Sequence, residues 1–163
     1  MIEITTEPLT DEVLAEILPL AQACWNESTE IKGESCAYFG ERDFLIEPDT
    51  EQYKTLAKSG GLLLITVRDN VELVGYLVGI LYRSLHHRHI TCALGDSMYL
   101  KPSYRFTHAA AVANLFEREL TAIGVGIIGW PAHRNSPLYG FLQSRGYVED
   151  DVVMEKRLLV GVS

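Results

Sequence analysis

Residues 96–124 constrain the fold more than any other stretch, because two periodicities meet in them. Ser97 and Tyr99 fall on one side while Asp96, Met98 and Leu100 fall on the other, the period-2 pattern of a strand. Pro102 removes a ladder donor and ends that strand. From Arg105 the period becomes helical. Ala109, Val112, Ala113, Phe116 and Leu120 share a face, with Glu117, Arg118 and Glu119 between them. Gly124 stands at the position of a C-cap glycine. The reading is strand, tight turn, helix. A helix N-terminus after a strand offers unpaired N–H groups and a positive dipole end, which suit a phosphate.

The remaining segments alternate in the same way. Residues 2–5 read as a short strand. Thr10 caps a helix with Val13, Leu14, Ile17, Leu18 and Ala21 on one face, and Pro19 inside it is expected to kink or break it. Residues 26–48, with Gly33, Gly40 and Pro48 among mixed charges, read as a long loop holding at most one helical turn. Asp49 or Thr50 caps a second helix running through Leu56 to Lys58 and closed by Gly60 and Gly61. Residues 62–67 and 73–82, joined at Asp69 and Asn70, make a hairpin. Both runs are continuously apolar, so both faces should be covered. Residues 83–89 lead into the strand that ends at Leu100. Residues 126–131 form a further strand, stopped by Pro131. Ser136 caps the next helix with Pro137 in its first turn, and Gly146 ends it. Residues 152–160 return as a last strand. The order is β-α-α-β-β-β-α-β-α-β, with no repeat and no linker, and residues 1–163 are expected to form one domain.

Charge and composition exclude several classes. No apolar run approaches the ~20 residues of a membrane-spanning helix. Residues 1–7 show neither a basic n-region nor an apolar h-region, and Cys24, Cys36 and Cys92 are odd in number and far apart. These features predict a protein of the reducing cytoplasm without a disulfide framework. The net charge is −8, and residues 1–60 hold 13 acidic and 4 basic residues. Such a balance gives no basic face for nucleic acid, whereas an acidic first third suits either a solvated surface or a cationic partner such as an amine. His86, His87 and His89 lie in one connection, but neighbouring extended residues face opposite ways, so no metal site is expected. Trp25 and Trp130 are taken as core.

Two motifs carry a resemblance. Leu-Lys-Pro-Ser-Tyr-Arg at residues 100–105, followed by a helix, resembles the acetyl-CoA-binding segment of the GCN5-related N-acetyltransferases, V-x-P-x-Y-R-G-x-G-x-G/A. Asn135-Ser-Pro-Leu-Tyr-Gly-Phe-Leu-Gln-Ser-Arg-Gly-Tyr147 is similar to that family's second motif, N-x-x-A-x-x-L-Y-x-x-x-G-F. The order, separation and chain length also agree. The chain departs from the first motif at Phe106, Thr107, His108, Ala109 and Ala110, where the family has Gly-x-Gly-x-Gly/Ala.

The resemblance implies an α/β (α+β) fold. Its mixed central sheet would have six to seven strands and helices on both faces. The fourth and fifth strands would splay apart, here between residues 96–100 and 126–130. It implies acetyl-CoA as co-substrate, with pantetheine lying in the gap against the backbone of Met98 and Leu100. The pyrophosphate would sit on the N–H groups of Phe106, Thr107, His108, Ala109 and Ala110, with Arg105 supplying charge. Bulk at Phe106 and His108 predicts a reduced affinity. Tyr139 would be the general acid for the leaving thiolate, though alone it reads as a packed aromatic. Asn135 would orient the pantetheine or adenine end, or else form an Asx turn. Met98 would polarise the acetyl carbonyl through its backbone. Asp96 is the candidate base, with Glu34 and Glu41 of the acceptor loop as competitors. The expected activity is acetyl transfer to a primary amine, on a small molecule or a peptide. The alternatives are a fold kept for coenzyme or partner binding, or a modifier of a protein lysine or an amino-modified nucleobase. A homodimer is an allowed assembly.

Overall fold

The computed structural model describes residues 1–32 and 45–150. Along the chain these form β1 (Ile2–Thr6), α1 (Asp11–Lys32), α2 (Thr50–Lys58), β2 (Leu62–Asp69), β3 (Glu72–Arg83), β4 (Thr91–Leu100), α3 (Pro102–Ala122), β5 (Val125–Gly129) and α4 (Pro137–Ser144). The chain divides into two compact units, residues 1–25 with 45–131, and residues 26–44 with 132–163.

The first unit is built on a mixed sheet in the order β1-β2-β3-β4-β5. Its first three pairings are antiparallel and the β4–β5 pairing is parallel. Asn70 turns the β2–β3 hairpin at φ 55°, a left-handed conformation that its short polar side chain tolerates. The continuous apolar runs of β2 and β3 are covered on both sides. On one face Val112, Phe116 and Leu120 of α3 pack with Ile65, Val67, Leu77, Ala93 and Leu100. On the other, Val13, Ile17 and Leu20 of α1 pack with Leu64, Tyr76, Val78 and Tyr99.

Several expectations need correction. α1 passes through Pro19 without ending and continues to Lys32, so residues 26–32 are helical where a loop was expected. An interior proline costs about 3 kcal/mol. Burial of Val13, Ile17 and Leu20 outweighs that, at roughly 1.5–3 kcal/mol each. α3 begins at Pro102, three residues before the helical period becomes visible, because proline suits the first helical position and Lys101 serves as N-cap. The described sheet has five strands where six to seven were expected. The strand expected over residues 152–160 lies outside the described residues, as do Cys36 and the competing bases Glu34 and Glu41.

Candidate functional site

The pairing of β4 with β5 stops early. Thr91, Cys92, Ala93 and Leu94 have partners in Val125, Ile127, Ile128 and Gly129, and from Gly95 onward β4 pairs only with β3. The gap therefore opens past Leu94 on β4, which leaves residues 96–100 free of β5, and past Gly129 on β5, later along that strand than residue 126. Trp130, the residue after β5, packs over Gly95 beside it. Its ring lies where a side chain on Gly95 would stand, so that a Cβ there would be 2.3 Å from Trp130 Cε3. Trp130 also packs edge-on against Phe116, with ring centroids 5.6 Å apart, at the rim of the core.

Register identifies which backbone groups face the gap. Lys101 N–H donates to the Val74 carbonyl at 2.9 Å, which marks 101 and 74 as a hydrogen-bonded pair. Tyr99 with Tyr76 and Ser97 with Val78 are then hydrogen-bonded too, two and four residues back along the ladder. Met98 and Leu100 alternate with them and turn their N–H and C=O groups to the open edge. Side chains reach those carbonyls. The Cys24 thiol donates to Met98 O at 3.7 Å, and Arg105 Nε donates to Leu100 O at 2.7 Å. The Arg105 guanidinium carbon also lies 5.1 Å from the Tyr99 ring centroid.

A bulge corrects the side-chain alternation within β4. Val78 pairs with Ser97 and Gly79 with Gly95, which leaves Asp96 as the extra residue. Asp96 thereby leaves the face of Met98 and Leu100 and joins that of Ser97. Its Oδ2 accepts from the Tyr53 hydroxyl at 2.7 Å, while Ser97 Oγ and Tyr76 Oη lie 2.8 Å apart. Tyr53 and Tyr76 belong to the core face under α1. Burial pushes both phenols well above the ordinary tyrosine range, and the Asp96 carboxylate pushes Tyr53 further. The result is a polar row of Tyr53, Asp96, Ser97 and Tyr76 beside the open edge. Cys24, Tyr53, Tyr76 and Ser97 were not singled out from sequence. An isolated glycine within a strand, here Gly95 beside Asp96, is compatible with a bulge but does not place one.

The segment assigned to pyrophosphate has a different form from the one expected. Phe106, Thr107, His108, Ala109 and Ala110 lie within α3, so their N–H groups already bond to carbonyls four residues earlier. Phe106 is fully exposed. Thr107 Oγ1 and His108 Nδ1 contact each other at 2.6 Å, and each also approaches Tyr104 O, at 3.3 Å.

In the second unit, Ser136 caps α4 by accepting from Tyr139 N–H at 3.2 Å, and Asn135 lies exposed just before it, its N–H donating to His133 Nδ1 at 3.3 Å. The Tyr139 hydroxyl donates to Glu149 Oε2 at 2.9 Å and accepts from Gln143 Nε2 at 3.3 Å. Glu149 is also paired with Arg134. That pairing holds the Glu149 carboxyl below its usual range, and the carboxylate in turn raises the Tyr139 phenol above its own. No sequence signal pointed to Glu149.

The acidity of the first third is partly spent on internal pairs. Lys54 bridges Asp11 and Glu51, and Arg68 bridges Glu7 and Glu16. Among the described residues no group of three or more His, Cys, Asp or Glu is placed to hold a metal, and no helix is long and apolar enough to cross a membrane.

The fold defined by this splayed, bulged sheet is that of the GCN5-related N-acetyltransferases. An aminoglycoside acetyltransferase, meta-AAC0020, from an uncultured soil metagenomic sample, solved with sisomicin, superposes with TM-score 0.73 at 15% identity, covering 98% of this chain and 97% of that one. AAC(6')-Iy, solved with the bisubstrate analog CoA-S-monomethyl-acetylneamine, gives 0.67 at 12% identity over 98% and 99% of the two chains. A ribosomal-protein-alanine N-acetyltransferase from Brucella melitensis biovar Abortus 2308 gives 0.63 at 13% identity over 98% and 100%. No family model and no curated protein sequence matches the chain.

Proposed function

We propose that this chain is an N-acetyltransferase that moves an acetyl group from acetyl-CoA to a primary amine. The observation that carries the reading is the open edge of β4, with the Met98 and Leu100 backbone groups facing the gap and the Asp96 bulge beside it. An extended pantetheine arm with its amides fits such an edge as an added strand. The Cys24 thiol at Met98 O is a weak donor and gives way at small cost.

In the reaction the amine nitrogen attacks the thioester carbonyl carbon, the C–S bond breaks, and amide and free thiol result. Met98 N–H stabilises the developing oxyanion. Asp96 takes the proton lost by the amine, with Tyr53 fixing the carboxylate, and Tyr139 gives a proton to the departing thiolate. Asn135 orients the donor. The acceptor is a cationic small molecule or peptide, with amino sugars, polyamines and lysine peptides as first choices, and the setting is the cytoplasm.

The test is release of free thiol from acetyl-CoA with each amine, run beside a thermal melt with the coenzyme alone. Binding to the folded state raises stability by about 2.7 kcal/mol at a hundredfold excess over Kd. Transfer to at least one amine supports the reading. An unmoved melting midpoint overturns it, and a shift without transfer to any amine assigns the fold to binding only.

A further inference from the structure

We infer that the donor is read along its pantetheine arm, with the nucleotide of coenzyme A contributing little, so that a pantetheine thioester without the nucleotide serves this chain about as well as acetyl-CoA. The inference rests on the acetyltransferase reading above and concerns how one donor site divides its affinity. The acyl step is unchanged by it: the same C–S bond breaks and the same thiol leaves.

The arm's side of the site is built. β4 offers the backbone of Met98 and Leu100 on an edge that β5 has left, with Trp130 packed over Gly95 where the two strands part. The nucleotide's side is arranged otherwise. A diphosphate is held either by a nest of successive N–H groups, which needs residues of left-handed conformation between right-handed ones, or by the unpaired N–H groups of a helix's first turn. At α3 Pro102 has no N–H, and those of Lys101 and Tyr104 bond to Val74 O and Lys101 O, each at 2.9 Å. Among the described residues positive φ occurs at Gly60, Asn70, Gly124 and Gly146, and the chain from Leu100 to Ala110 passes straight from strand into helix. From Arg105 onward the N–H groups are committed to the helical ladder.

The basic side chains nearby are engaged as well. Lys101 pairs with Glu72. Arg105 turns back onto Leu100 O and the Tyr99 ring, where it braces the arm's edge. His108 is tied to Thr107. Phe106 stands fully exposed where the family's loop has its first glycine, presenting an apolar ring in place of donors. Each charge-assisted hydrogen bond to a phosphate is worth about tenfold in affinity. A protein that reads the diphosphate therefore loses about a hundredfold or more when the nucleotide is removed.

The experiment compares S-acetyl-pantetheine with acetyl-CoA on the full chain, by calorimetric Kd and by the shift of melting temperature. The expected result is a Kd ratio within fivefold, and a Kd for acetyl-CoA that hardly changes with salt, since screened phosphate contacts would weaken it. A loss greater than fivefold on removing the nucleotide overturns the inference and leaves the acetyltransferase reading standing. Failure of both thioesters to bind overturns that reading along with it. A parallel arm with a carrier protein acetylated on its phosphopantetheine distinguishes the source. Faster transfer than from acetyl-pantetheine assigns a carrier-borne arm, slower transfer a free thioester, and either upholds the inference.

Discussion

The Tyr53 hydroxyl donates to Asp96 Oδ2 across 2.7 Å, tying α2 to the bulge of β4. Burial holds that phenol above the ordinary tyrosine range and the Asp96 carboxylate adds to the effect. In Asp96→Asn the negative charge is gone but the burial remains. Tyr53 should then ionise at lower pH than in the parent, yet still above a free tyrosine, as read by ultraviolet absorbance during alkaline titration. If Asp96 is the base, acetyl transfer in the same variant falls on the order of 10²-fold. An unchanged titration would mean that the pair does not form.

Gly95→Ala probes the packing of Trp130. The added methyl would stand 2.3 Å from Trp130 Cε3, inside any permitted contact, so the indole must move. Overpacking of this kind costs about 1–3 kcal/mol, and a chemical denaturation curve should show that loss at unchanged m-value. Trp130→Ala in the same background should return part of it, because the clash goes with the ring. A Gly95→Ala protein as stable as the parent would show that Trp130 does not pack against this position.

The same two positions mark the limit of what the sequence displays. Element order was legible because each strand and helix carries its own period, and Asn70, Gly60, Gly124 and Gly146 punctuate them at positive φ. The bulge was not, because the alternation of Asp96 with Met98 and Leu100 is a local pattern. What breaks it is the pairing of Gly79 with Gly95, sixteen residues away in sequence and set by packing of Phe116. Likewise the start of α3 was hidden, since Pro102 reads equally as a strand stop and as a first helical residue. The partners of Asp96 and Tyr139 come from Tyr53 and Glu149, residues whose own neighbours in sequence give no sign of the contact.

Acid stability should report on Arg68. Its guanidinium bonds to Glu16 at 2.6 Å and to Glu7, whose Oε2 also accepts from the buried Thr66 hydroxyl at 2.7 Å. The bond to Arg68 holds the Glu16 carboxyl below its usual range. A depressed carboxyl contributes stability that is present above its unfolded pKa, near ~4.3, and is lost as pH falls through the folded value. Glu16→Gln should therefore melt below the parent at pH 7, by a small margin because the pair is partly solvated, and the difference should shrink as pH falls below ~4.3 and vanish once pH is below the folded value. A difference that persists in acid would assign the effect to packing and not to charge.

Tyr139 and Glu149 give the most direct test of the chemistry. Tyr139 donates to Glu149 Oε2 at 2.9 Å, and the carboxylate keeps the phenol protonated beyond its ordinary range. Arg134 in turn keeps Glu149 ionised. A phenol held in its protonated form is suited to give its proton to a thiolate, though it must first release Glu149. Tyr139→Phe deletes the hydroxyl and keeps the ring, so donor binding should hardly change while transfer falls on the order of 10²-fold. Glu149→Gln keeps a hydrogen-bond acceptor and removes the charge. Tyr139 then ionises at lower pH, and the alkaline fall of kcat/KM should begin at lower pH than in the parent. The sign is fixed: loss of a neighbouring anion favours the tyrosinate, and the tyrosinate cannot act as an acid. Both variants are read by thiol release across pH with the same amine and donor. Equal rates for Tyr139→Phe and parent would remove this hydroxyl from the mechanism and leave solvent as the proton source.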